Sequence, residues 1–178
     1  MRTLLAFAAA AMVCATLPAQ AQRSQHTSTP IELGIDGGVS FGLDAPRATV
    51  VSLPIQDFRI GFLVTDNLAI EPRFNLNSVH FTGATATAYN VELGIVYQPA
   101  GDRVGKGLYG RPFIGVNGDH VTGQPSTSNG YLGLGLGLKI PFTDRRLATR
   151  MEANYAHGFS NGGGNLIGLL VGLSFFTR

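Results

Sequence analysis

The stretch YLGLGLGLKI, residues 131–140, decides the fold because every second residue in it is large and apolar. An alternation with period two places all the apolar side chains on one face of a β-strand and the remaining residues on the other. The glycines at 133, 135 and 137 disfavour a helix, and no helix start follows them as a phosphate-binding loop would require. The stretch therefore predicts a two-faced strand.

The same alternation recurs in seven further segments, which cover residues 31–41, 58–64, 68–77, 89–97, 111–117, 150–159 and 167–175. Most of them are close to the 9–11 residues that a tilted strand needs to cross a bilayer. The second segment has an irregular start, since Val51, Leu53 and Ile55 are out of phase with Phe58 and Ile60. Either a bulge shifts the register there, or the strand starts near residue 57.

Charged residues fall only on the polar faces of these segments. Five are acidic and five are basic: Glu32, Asp36, Glu71, Glu92 and Glu152, with Arg59, Arg73, Arg111, Lys139 and Arg150. In a membrane barrel the apolar face meets lipid, and the polar face fills a narrow lumen in which charges must pair. We therefore predict an all-β protein, an antiparallel up-and-down transmembrane β-barrel of about eight strands with these ten residues as a lumen charge network.

Two further patterns favour the membrane barrel. Aromatic residues occur near strand ends, where interfacial girdles belong: Phe41, Tyr89, Tyr97, Phe142, Phe159 and Phe175. The connections predicted after even-numbered strands are mostly shorter than those after odd-numbered strands, at residues 43–55, 79–88, 118–129 and 160–165. This asymmetry predicts short periplasmic turns and exposed outer loops, of which 82–87 and 123–129 are the expected contact surfaces for an extracellular partner not identified by the sequence.

The first residues predict export. Arg2 precedes an apolar run at residues 4–13, and Ala19-Gln20-Ala21 has the small residues of a cleavage site. The predicted domains are thus a cleaved signal peptide at 1–21 and an outer-membrane barrel at 22–178. Cys14, the only cysteine, lies in the signal. A net charge of +2 over the chain gives no electrostatic argument for nucleic acid.

The chain resembles the small outer-membrane β-barrels of the OmpA transmembrane-domain and OmpX type. The resemblance rests on the turn at 64–68 with Glu71-Pro72-Arg73 after it, on the segment 111–115, and on the final strand at 171–176. It implies a Gram-negative type envelope, outer-membrane lipid as the surroundings, and insertion by the barrel-assembly machinery. Such barrels often end on an aromatic residue, whereas here Thr177 and Arg178 follow Phe176.

The function expected from these features is structural or interaction-based, with the lumen plugged by salt bridges and no cofactor or metal. The alternatives are a narrow porin-like channel, a soluble periplasmic lipocalin-like carrier with its apolar face inward, and a lipid-modifying enzyme of the lipid A acylase or deacylase type. Only His157 and Ser160 are candidates for that enzyme, and their spacing places them on opposite strand faces. His80 and His120 fall on separate predicted loops and do not make a metal site.

The assignment of the two faces gives a mutational prediction. Leu134→Arg places a charge on the lipid face and should cost about 2–4 kcal/mol of unfolding free energy at mid-bilayer. Gly133→Arg should behave differently because that residue faces the interior. Urea unfolding in lipid vesicles measures both, and equal losses would show that the assignment is wrong.

Overall fold

The computed structural model describes residues 31–44, 49–99, 106–142, 146–159 and 164–177. The predicted signal peptide at 1–21 lies outside these residues. The strands are β1 (Ile31–Gly42), β2 (Thr49–Thr65), β3 (Leu68–Phe81), β4 (Ala84–Tyr97), β5 (Gly107–Val121), β6 (Thr127–Pro141), β7 (Leu147–Gly158) and β8 (Asn165–Phe176). Within the described residues, no helix is both long and apolar enough to cross a membrane.

Each strand pairs antiparallel with the next, and β8 pairs with β1, so the sheet closes into a barrel. This confirms the predicted fold class and the number of strands. β1 and β8 pair over eleven residues, from Glu32 opposite Phe176 to Gly42 opposite Leu166, so neither strand has a free edge along this stretch. Beyond the last strand, the backbone N–H of Thr177 donates to the carbonyl of Ile31, at 2.9 Å.

The irregular second segment is a long strand with a register shift. The β1 partner of Asp57 is Asp36, whereas the partner of Ser52 is Gly38, so β2 carries several extra residues opposite Gly37. Of the two interpretations of the sequence, the bulge is therefore the one that the structure shows. The expected connection at 43–55 was wrong for residues 49–55, because β2 begins at Thr49.

The long loops expected after β3 and β5 are also corrected. Only Thr82 and Gly83 separate β3 from β4, and only residues 122–126 separate β5 from β6. Gly83 and Gly123 take positive φ angles of 84° and 83°, which tight turns require and glycine tolerates. Most of the expected contact loops at 82–87 and 123–129 are thus strand, and the described connections do not show the predicted asymmetry of length. Predicted connections at 99–107, 143–146 and 160–165 lie partly outside the described residues.

The apolar faces point outward and remain exposed in the isolated chain. On β6, Leu132, Leu134 and Leu136 are 52%, 51% and 65% exposed, while the residues between them face the lumen. This direction excludes the lipocalin-like alternative, which needed the apolar faces inside. The aromatic side chains expected at interfaces are all exposed, but Tyr89 does not lie at a strand end because β4 continues to Ala84.

The glycines of β6 make room for large lumen side chains from neighbouring strands. A Cβ atom at Gly137 would lie 2.1 Å from Cζ of Tyr109, and one at Gly133 would lie 2.3 Å from Cζ of Phe113. A Cβ atom at Gly110 would meet nothing within 4 Å. The alternation of leucine and glycine on β6 therefore serves both faces, with leucine for lipid and glycine for the packed interior.

These two environments predict different effects of the same substitution. Gly137→Ala should destabilise the barrel by about 1–3 kcal/mol because the Tyr109 ring has to move. Gly110→Ala on β5 is the control, because the added methyl group would meet no other atom, and it should be neutral or slightly stabilising. Urea unfolding in vesicles measures both, and an equal effect would contradict the packing role of Gly137.

Candidate functional site

The lumen is filled by side chains that the strands place on one face. All ten residues of the predicted charge network point inward and are at most 8% exposed. An ionised side chain in so confined a space loses most of its hydration, which costs several kcal/mol unless opposite charges and hydrogen bonds replace the water. The arrangement of these ten residues shows how that cost is met.

Glu71 on β3 is the centre of the network. Its carboxylate contacts four arginines, with Nε of Arg111 at 2.9 Å, Nε of Arg73 at 3.1 Å, Nη1 of Arg59 at 3.8 Å, and both Nη atoms of Arg150. Glu71 and Arg73 lie two residues apart on the same strand and so face the same way. Four positive groups around one carboxylate would repel one another, so further acids are needed beside them.

Three other acidic residues balance these arginines. Glu152 on β7 lies 2.8 Å from Nη2 of Arg73 and 2.6 Å from Nη2 of Arg150. Glu92 on β4 accepts a hydrogen bond from Arg111. Asp36 on β1 accepts a hydrogen bond from Nε of Arg59, at 2.8 Å. The network therefore joins acids and bases from most of the circumference of the barrel.

Glu32 and Lys139 connect β1 to β6 across the lumen. Glu32 forms ion pairs with both Lys139 and Arg59. The ammonium of Lys139 also lies 5.6 Å from the centre of the Tyr109 ring and 5.9 Å from that of Phe176. Aromatic faces carry partial negative charge and attract a desolvated cation, so these rings supplement the single carboxylate that Lys139 contacts.

Two apolar clusters enclose the charged residues. One consists of Ala69, Val96 and Tyr109, with Leu63 packed against it. The other consists of Phe113, Tyr131 and Ala156. The tyrosines connect both clusters to the charges, since the hydroxyl of Tyr109 donates to Glu152 at 2.8 Å and that of Tyr131 lies 3.3 Å from Oε2 of Glu92. Along β5, for example, the charged Arg111 lies between Tyr109 of one cluster and Phe113 of the other.

Several buried residues were missing from the sequence prediction. Asp57 is 5% exposed and lies opposite Asp36. It is two residues from Arg59 and so shares its inward face, which would have identified it if the start of β2 had been clear. Tyr109 shares the inward face of Arg111, two residues further on, but it precedes the segment 111–117 that was predicted as a strand. Among the described side chains, Oδ1 of Asp36 and Oδ1 of Asp57 are buried without a hydrogen-bond partner.

The acidic and basic side chains of the ten-residue network are paired with one another. No cluster of three or more histidine, cysteine or acidic side chains within the described ranges is arranged to hold a metal ion. His157 faces outward on β7, away from the lumen, and Ser160 lies outside the described residues. The site is instead an ion-paired packing core of the barrel.

Comparisons with known structures support the fold. The barrel is similar to Neisserial surface protein A, with a TM-score of 0.52 and 12% identity over 83% of this chain and 97% of that one. It is also similar to the N-terminal barrel domain of Pseudomonas aeruginosa OprF, with a TM-score of 0.50 and 18% identity over 83% of this chain and 98% of that one. At these identities the likeness concerns the fold alone.

The family is shown by the sequence. No curated protein matches the chain significantly. The family model for the outer membrane protein beta-barrel domain, however, matches residues 7–175, which is nearly the whole chain. Together with the closed eight-stranded barrel and its outward apolar faces, this match shows that the chain belongs to the outer-membrane β-barrel domain family.

Proposed function

We propose that this protein is a structural and interaction component of the outer membrane whose lumen is closed by its ion-paired core. The observation that carries the proposal is the charged network centred on Glu71, enclosed between two apolar clusters. An eight-stranded barrel has an interior just wide enough for side chains to fill it. Apolar constrictions also exclude ions by dewetting.

The proposal includes a route and an orientation. The chain is exported by the signal at 1–21, which is removed, and inserted by the barrel-assembly machinery. Both ends of the barrel chain then face the periplasm, and the hairpin ends at Gly83 and Gly123 face outward. The long β3–β4 and β5–β6 hairpins support this orientation, because extended hairpins are typical of the extracellular side.

A non-enzymatic role is part of the proposal. Nucleophilic catalysis needs a nucleophile, a base and an orienting group within hydrogen-bond reach. The described lumen brings together carboxylates, guanidinium groups and phenols that are already paired with one another. Such groups are fixed by their partners, and this favours a packing role over a reactive one.

The role of Glu71 predicts a large loss of stability on neutralisation. Glu71→Gln leaves four buried arginines with too little negative charge and should cost about 3–5 kcal/mol of unfolding free energy. Asp119→Asn, which changes an exposed acid on β5, is the control and should change stability by less than about 1 kcal/mol. Urea unfolding in vesicles at constant salt gives both values. Equal stability of Glu71→Gln and the native protein would contradict the structural role of the network.

The closure of the lumen predicts the electrical behaviour of the protein. In planar bilayers the native barrel should show no steady conductance. Glu71→Ala combined with Arg150→Ala removes two long side chains of opposite charge from the core and should open discrete conductance steps, while Asp119→Ala should not. Steady conductance by the native protein at the level of the double variant would favour the narrow-channel alternative.

A further inference from the structure

The buried charges of the described lumen do not balance. Six acidic and five basic side chains lie there with at most 8% of their surface exposed. The five bases all form ion pairs with the five acids of the predicted network. Asp57 on β2 is the sixth acid, and it forms no ion pair with any residue that the structure describes. One buried carboxyl group is therefore left without a compensating base.

The surroundings of Asp57 offer its carboxyl group little to replace water. Its side chain is 5% exposed, and its Oδ1 atom is buried without a hydrogen-bond partner. The charged groups that face it from other strands are Asp36 on β1, Arg73 on β3, Glu92 on β4 and Arg111 on β5. A buried carboxyl group that has neither a base nor a full set of hydrogen bonds is strongly unfavourable in its ionised form.

The two arginines that face Asp57 are already engaged with other acids. Nη2 of Arg73 lies 2.8 Å from Oε2 of Glu152, and Nε of Arg111 lies 2.9 Å from Oε1 of Glu71. Both arginines also form an ion pair with Glu92. The positive charge of each is thus shared among several carboxylates, and neither guanidinium group is available to Asp57 alone.

The residue directly opposite Asp57 on β1 is a second aspartate, Asp36. Oδ2 of Asp36 accepts a hydrogen bond from Nε of Arg59 at 2.8 Å, whereas its Oδ1 is buried without a hydrogen-bond partner. Cross-strand partners have Cβ atoms about 4.5–5.5 Å apart, and like charges directly opposite each other destabilise a sheet. An ionised Asp57 would therefore repel the carboxylate that Arg59 holds.

The two aspartates lie beside the bulge of β2. The β1 partner of Asp57 is Asp36, and the next pair in the ladder joins Gly38 to Ser52. A bulge of this kind leaves residues unpaired and interrupts the backbone hydrogen bonds between the two strands. Repulsion between the two carboxylates would consequently act at a point where the β1–β2 ladder is already interrupted.

We infer that Asp57 binds a proton in mildly acidic surroundings, at a pH at which the five ion-paired acids of the lumen stay ionised, and that this proton stabilises the barrel. Protonation removes the one unbalanced charge of the lumen and the repulsion between Asp57 and Asp36. The barrel therefore responds to the acidity of its surroundings through a group in its interior, and mild acid strengthens it.

The sign of the pH dependence follows from where the proton is held. In the unfolded chain an aspartate loses its proton near about pH 4, whereas the folded barrel keeps the proton on Asp57 to a higher pH. Between these two points folding takes up a proton, so stability falls as the pH rises until Asp57 is ionised in the folded barrel as well. For one proton, the unfolding equilibrium constant rises at most about tenfold per pH unit.

The first test is the infrared spectrum of the barrel in a detergent without ester groups. A protonated carboxyl group has a C=O stretch above the amide I band, and a carboxylate lacks it. The difference spectrum between the native protein and Asp57→Asn should contain this band at about pH 5 and lose it by about pH 9, a range in which buried carboxyl groups titrate. Absence of the band at every pH would overturn the inference.

The second test is urea unfolding in vesicles across the same pH range. Asp57→Asn imitates the protonated side chain, so it should match the native protein in mild acid and exceed it in stability in alkali. Asp119→Asn changes an exposed acid and should keep the pH profile of the native protein. The histidines are the same in all three proteins, so their titration cancels in the comparison. Parallel profiles of the native protein and Asp57→Asn would overturn the inference.

A second variant and a competing ion keep the tests decisive. Asp57→Ser is another neutral replacement and should give the same flattened profile, and heat-modifiability on a gel shows that each variant has folded. The loss of the carboxyl band from the native protein between the two pH values is measured without any variant. Stabilisation of the native protein by calcium, without a carboxyl band in acid, would overturn the inference and assign a metal ion to Asp57.

Discussion

The closure of β8 onto β1 is the constraint on which the rest of the structure depends. Once the sheet is closed, every inward side chain shares one narrow interior, and none can move to an edge where water would hydrate it. The buried carboxylate of Glu71 needs the guanidinium groups around it to replace its lost hydration. Those guanidinium groups would repel one another without the negative charges of Glu152 and Glu92. Backbone closure and charge pairing are therefore two aspects of one requirement.

The packing of the interior follows from the same constraint. Large inward side chains fit only where the facing residue on a neighbouring strand is small, which explains why glycines face Arg59, Arg111 and Tyr109. A Cβ atom at Gly94 would lie 2.6 Å from Nε of Arg111, and one at Gly34 would lie 2.2 Å from Cζ of Arg59. High glycine content in this chain thus reflects a packed lumen, and it does not indicate a flexible one.

The fold and the charged residues could be predicted because both follow from the parity of residues along a strand. Leu134 and Gly133 are neighbours on β6, but successive side chains of a strand point to opposite faces, so Leu134 faces lipid and Gly133 faces the lumen. The identity of the partners could not be predicted in this way. Which acid meets Arg150 depends on the shear of the barrel, and that quantity is set by all eight pairings together.

The same dependence on parity explains the errors. Thr85 and Thr87 were expected in a loop because the outward face of β4 is polar there, but a strand that leaves the membrane has no reason to keep an apolar outward face. Beyond Leu76, the apolar residues Val79 and Phe81 lie on the inward face of β3, and the side chains of Ser78 and His80 lie on its outward face. The alternation of apolar and polar residues therefore identifies a strand. Which of its two faces is apolar shows whether the outward face meets lipid or water.

The lumen and the polar ends of the hairpins differ in how their side chains are paired. The residues of the charge network satisfy one another, and any ligand would have to displace an existing ion pair to bind among them. The exposed histidines near the ends of the hairpins, His80, His120 and His157, each use Nδ1 in one contact with a neighbouring side chain. The ion pairs that hold the barrel together are thus concentrated in the lumen, and the polar ends of the hairpins take no part in them.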